Sequence, residues 1–150
     1  MSLTPLQRYQ NDLKREDFQQ DQAQLEAIKC LDELYHRVLE AGPPKRNQGW
    51  RRIFGSKKLT PVKGLYFWGG VGRGKTYLMD TFYDALPFKE KMRTHFHRFM
   101  RRVHYELKSL KEEADPLDIV AERLAGEMRV LCFDEYFVSD IADAMILANL

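Results

Sequence analysis

Eight residues carry the plainest chemistry in the chain: Gly69-Gly70-Val71-Gly72-Arg73-Gly74-Lys75-Thr76. They match G-x-x-x-x-G-K-[ST], a glycine loop whose successive backbone N–H groups turn inward on an anion. Lys75 adds a compact positive charge for the β- and γ-phosphates of a nucleotide, and Thr76 offers a hydroxyl to Mg²⁺. A second group is Asp134-Glu135, two carboxylates closing the apolar run Val130-Leu131-Cys132-Phe133. An aspartate at the end of a buried strand suits the water shell of Mg²⁺, and the next glutamate can polarise a water for in-line attack on the γ-phosphate. The two groups together predict a Mg²⁺-dependent ATPase. Lys75 and Glu135 are the expected catalytic residues. Gly69, Gly70, Val71, Gly72, Arg73, Gly74, Lys75 and Thr76 are expected to bind ATP, and Thr76 with Asp134, the latter through water, to hold the metal.

The elements around these groups must deliver them. Gly64-Leu65-Tyr66-Phe67-Trp68 is a short apolar and aromatic run that predicts a buried strand entering the loop. From Thr76 to Tyr83 the apolar residues at 78, 79, 82 and 83 predict a helix leaving it. Arg129 to Asp134 predicts another buried strand, placing its acids at the carboxyl edge where ligands gather in open α/β sheets. A strand over 92–97 and a helix carried by Phe99, Met100, Val103, Leu107 and Leu110 are expected between them. Asp115-Pro116 predicts the start of a further helix that ends near Gly126, and a last helix is expected from Asp140 after Ser139.

Upstream, Thr4-Pro5-Leu6-Gln7 has the form of a capping box with proline in the first turn, opening a helix to about Arg15. Asp21-Gln22-Ala23-Gln24 repeats the device for a longer helix that Gly42-Pro43-Pro44 stops. A sharper reading of the same residues is that this N-terminal segment folds over the nucleotide base. The segmentation expected is therefore a helical segment at 1–42, a linker at 43–63 and an ATPase core at 64–150. The linker holds Lys45, Arg46, Arg51, Arg52, Lys57, Lys58 and Lys63 and no acid, with Trp50, Ile53 and Phe54 at helical spacing. It reads as a solvated connection, or else as a docking surface for an acidic partner, an anionic membrane face or nucleic acid.

Bulk properties exclude several classes. At 150 residues, 44% hydrophobic and 31% charged, the chain has the make-up of one globular domain. Twenty-four Lys and Arg against 22 Asp and Glu leave a net charge of +2, too little to argue for nucleic acid. No apolar stretch approaches the ~20 residues of a membrane span, and the N-terminus lacks a signal-peptide core, so a cytoplasmic setting is expected. Cys30 and Cys132 are expected to be reduced packing residues. His95 and His97, read as facing one side of a strand, with His104 further on, are expected to serve as core or hydrogen-bonding groups, since no cysteine or carboxylate stands at ligand spacing.

Taken together, Gly64 to Thr76 with Leu78-Met79-Asp80, His95-Phe96-His97-Arg98-Phe99-Met100 with Val103-His104, Asp115-Pro116-Leu117, and Leu131 to Glu135 through Phe137-Val138-Ser139-Asp140-Ile141 resemble the ZapE (AFG-like) family of AAA+-type P-loop ATPases. Asp21-x-x-Gln24 suits that family too. The histidine-containing stretch is far more specific than the glycine loop. The resemblance implies an α/β fold of the P-loop NTPase (AAA+) type, a parallel sheet of order 5-1-4-3-2 flanked by helices, preceded by the N-terminal helical segment. It implies ATP and Mg²⁺ as ligands and a bacterial protein at the division site that lowers the stability of FtsZ polymers in an ATP-dependent way. It also implies possible self-association into a ring. Stable nucleic-acid binding is not expected. Roles in membrane or respiratory protein quality control, or as a helicase-loader-type ATPase, stay open as alternatives. The family pattern runs on past residue 150 to a polar sensor and an arginine finger. The chain is thus expected to end part-way through the core and to lack full turnover alone.

Overall fold

The computed structural model describes residues 3–43, 62–69, 74–136 and 141–150. These form two compact units, Met1–Pro87 and Phe88–Leu150. The basic residues from 45 to 58, with Trp50, Ile53 and Phe54, lie outside the described residues.

The first unit is helical. Helix α1 (Pro5–Asp12) opens on the expected capping box, with the Thr4 hydroxyl accepting from the Gln7 amide and the Gln7 side chain accepting from the Thr4 amide. It is shorter than its apolar pattern suggested, because Leu13 already serves as its C-cap. Helix α2 (Gln22–Ala41) starts where Asp21 accepts from the amides of Ala23 and Gln24, and ends on Gly42. Gly42 stands at φ 65, a left-handed conformation that a side chain disfavours. Helix α3 (Lys75–Ala85) begins directly at the lysine of the glycine motif. The three helices bury Tyr9, Ile28, Leu31, Leu34, Tyr35, Val38, Leu78, Phe82 and Ala85, with Pro5 and Thr81 beside them.

The second unit contains a two-stranded parallel sheet. Strand β1 (Lys91–His95) runs into α4 (Phe96–Ser109), α5 (Pro116–Glu127) follows, and β2 (Val130–Asp134) returns beside β1. Such a β-helix-β passage is the usual way to bring strands parallel. The register pairs Arg93 with Cys132 and His95 with Asp134. Phe96, Phe99, Met100, Val103, Leu110, Val120, Leu124 and Met128 form the core beneath it. Helix α6 (Ile141–Asn149) packs Ile146 and Leu147 against that core and is tied to α4 by a 2.6 Å contact between His104 Nε2 and Asp143 Oδ1. No described helix is long and apolar enough to cross a membrane.

Three expectations need correction. Residues 62–69 form no strand; Leu65, Tyr66 and Trp68 stand 42%, 65% and 83% exposed, where a buried strand was expected. A central strand is held by ladder bonds on its edges, and residues 64–68 have none to a described strand. In the strand order implied by the resemblance, this run lies between the fourth and fifth strands, both of which come after β2. That order also sets β1 and β2 side by side, and those two do pair. The strand over 92–97 ends at His95, because Phe96 turns its side chain into the core as the first residue of α4. His97 is therefore helical, and its ring stacks on His95 at 5.8 Å without sharing a strand face. Cys30 is exposed on α2 where a packing residue was expected, whereas Cys132 is buried; both are free thiols.

Candidate functional site

Around the glycine motif, the chain turns into α3 through Gly74, at φ 72, the N-cap of the helix. Lys75 and Thr76 follow in the first helical turn, both exposed, where unpaired backbone N–H groups and the helix dipole favour an anion. The Lys75 ammonium donates to the carbonyl of Gly69 at 2.7 Å, linking the last turn of the motif to its first glycine. Gly70, Val71, Gly72 and Arg73 lie outside the described residues.

The helix that begins there is held by its neighbours. Tyr77, next to Thr76, donates its hydroxyl to Asp12 Oδ2 at 2.7 Å. Its ring lies 5.1 Å from Phe18 and 6.5 Å from Tyr9. Burial, then the bond to Asp12, raises the Tyr77 phenol well above the ordinary range. At the other end of α3, Arg8 Nη2 donates to the Asp84 carbonyl at 3.1 Å, a cation on the negative end of the helix. Gln24 was expected to complete a capping box; Asp21 does the capping, and the Gln24 carboxamide is seated instead against Gly74.

The carboxylates belong to the second unit. Asp134 closes β2 and accepts two bonds from Arg93 on β1, Nε to Oδ2 at 2.7 Å and Nη2 to Oδ1 at 3.2 Å. The register makes this a diagonal pair on one face of the ladder, two residues on from the Arg93–Cys132 pairing. Glu135 leaves the strand at φ 52, a left-handed conformation costing a non-glycine residue about 1–2 kcal/mol. Its side chain is 80% exposed, with Oε2 3.8 Å from Nδ1 of His95. That turn carries the Glu135 carboxylate out of the ladder and into solvent. Beside them, burial pushes the Cys132 thiol up to about 11, so it is protonated at neutral pH. Sequence reading missed the partners of Asp134 and Glu135. Arg93 and His95 alternate along one strand, but only its register against β2 shows what they meet.

In the first unit Thr76 offers a hydroxyl, and in the second Asp134 offers a carboxylate; each by itself is a hard oxygen donor of the kind that suits Mg²⁺.

The profile of the AFG1-like ATPase family matches residues 3–150. The chain belongs to the AFG1-like ATPase family. Like its relatives in that family, it is a P-loop NTPase of mixed helix and parallel strand. It is 49% identical to the cell division protein ZapE of Escherichia coli K12, across 99% of this chain and 42% of that protein. An uncharacterized protein of Schizosaccharomyces pombe is 35% identical across 98% of this chain and 39% of its own length. The lactation elevated protein 1 homolog B of Danio rerio is 43% identical across 63% and 21%. The chain therefore spans about two fifths of the length of the first curated relatives it matches. No solved structure matches it.

Proposed function

We propose that the protein binds and hydrolyses ATP and uses the cycle to act on a protein partner in cell division. The observation that carries this reading is the Gly69–Thr76 motif meeting the start of α3, with the Lys75 ammonium held across the motif on the Gly69 carbonyl. A bound triphosphate would draw that ammonium from a neutral carbonyl to an anionic oxygen, a stronger bond. Mg²⁺, held by Thr76 and through water by Asp134, would neutralise charge on the phosphates. Arg93 must then share Asp134, and the Glu135 carboxylate, turned free of the ladder, would orient the attacking water.

The partner we propose is the division polymer FtsZ, with ATP turnover lowering its stability at the division site in the cytoplasm. Family membership and the 49% identity to a cell division protein support that choice. Ring assembly is part of the same proposal, since the finger that completes such sites commonly comes from a neighbouring subunit. The test is sedimentation of FtsZ polymers with the full-length protein. Less pelleted polymer with ATP than with ADP, and no such loss with Lys75→Ala, is expected. Equal pelleting in all three would remove FtsZ as the partner, while ATPase stimulation by single-stranded DNA would favour the helicase-loader alternative.

A further inference from the structure

Gln24 has no part in capping α2 with its side chain, and its placement has a more specific consequence. A Cβ built on Gly74 would collide with the Gln24 amide nitrogen and stand 3.3 Å from its Cδ. The carboxamide thus occupies the space a side chain at 74 would take. Gly74 is the left-handed turn from which Lys75 and Thr76 project. Gln24 itself comes from a fixed platform. Its helix is capped at Asp21 and bound to α1 through Leu6 N to Asp32 Oδ1 at 3.0 Å. Helix α1 in turn holds both ends of α3, through Asp12 with Tyr77 and Arg8 with Asp84. An apolar side chain would fill this space equally well. A carboxamide adds two donors and an acceptor without charge, which is the chemistry of a group that serves a phosphate loop without repelling phosphate.

We propose that Gln24 is a positioning residue of the phosphate loop, its carboxamide seated against Gly74 to hold the turn that aims Lys75 and Thr76. It follows that the N-terminal helical pair is mechanically coupled to nucleotide occupancy. This rests on the reading of the loop as an ATP site.

The test uses the full-length protein and Gln24→Met, which keeps length and packing but removes the hydrogen-bonding end. Binding of ATP and of inorganic tripolyphosphate is measured by competition against a fluorescent ATP analogue. Thermal melting and the division of the effect between KM and kcat are followed alongside. The expected result is an unchanged melting temperature and a ~10-fold loss of affinity for both ligands, the scale of one lost hydrogen bond. Gln24→Ala should lose at least as much, and the loss should fall on KM more than on kcat. A second readout is amide exchange over residues 22–28, which should slow on ATP binding in the wild type and slow less in Gln24→Met. Wild-type affinity in Gln24→Met, while Lys75→Ala loses binding, would overturn the role of Gln24 and leave the ATP site standing. Weakened ATP binding with unchanged tripolyphosphate binding would also overturn it, since Gln24 would then read the base. A wild-type protein that binds neither ligand would overturn both readings.

Discussion

Two apolar runs in this chain read alike and fold differently. Gly64-Leu65-Tyr66-Phe67-Trp68 and Val130-Leu131-Cys132-Phe133-Asp134 are both short, apolar and poised before a functional group. The second becomes β2, paired along its length with β1 and packed on the core of α4 and α5. The first forms no ladder among the described residues and leaves Tyr66 and Trp68 largely in solvent. Composition sets the capacity for a buried strand; the partner decides whether it forms. Strand preference is a preference for a half-buried pleated surface, and that surface is supplied by neighbours.

The comparison can be broken by substitutions on either side. The largest effect is expected beneath β2. Phe99 is 3% exposed, with its ring 4.9 Å from Phe133, and Phe99→Ala should cost about 3–5 kcal/mol of stability in urea unfolding. Next comes Arg93→Ala, which leaves the half-buried Asp134 carboxylate without its guanidinium and should cost about 1–3 kcal/mol. At the other run, Trp68→Ser should shift the stability of the 150-residue chain by less than about 0.5 kcal/mol, as for exposed positions. A loss comparable to that of Phe99→Ala would mean that residues 64–68 are buried against something.

The two thiols give a kinetic form of the same contrast. Alkylation requires thiolate, and Cys132 is both buried and pushed up to about 11, whereas Cys30 is exposed. At pH 8 iodoacetamide should modify Cys30 at least ~10-fold faster than Cys132, read by mass spectrometry. Equal rates would show β2 to be open. A smaller effect belongs to Tyr77. Its phenol is raised in the folded chain, so the folded state holds that proton more tightly than the unfolded one. The stability it contributes is full below the free phenol value of about 10 and is lost as pH rises through the raised value. Stability should therefore fall with alkaline pH more steeply in the wild type than in Tyr77→Phe.

Local signals were the legible part of the fold. The Thr4–Gln7 capping box, the Asp21 cap, the glycine stop at Gly42 and the β2 run are all encoded within a few residues, and each is found where the pattern puts it. The candidate reactive groups can likewise be named from the sequence, because a glycine motif and an acid pair are defined by spacing alone. Their partners were not. Gln24 against Gly74 joins residues fifty positions apart in the numbering, and Arg93 meets Asp134 only through a strand register. Such pairings depend on tertiary packing, which no window of sequence contains. The 64–68 run failed for the same reason, since its ladder partners are not part of its own pattern.

The central claim is that Lys75 serves ATP binding and Glu135 the chemistry that follows. It is tested most directly by single-turnover measurement with full-length Glu135→Gln, separating bound ATP from released phosphate. ATP should bind with near wild-type affinity and phosphate release should slow at least ~100-fold, the scale of a lost catalytic base. Phosphate release at the wild-type rate would contradict it.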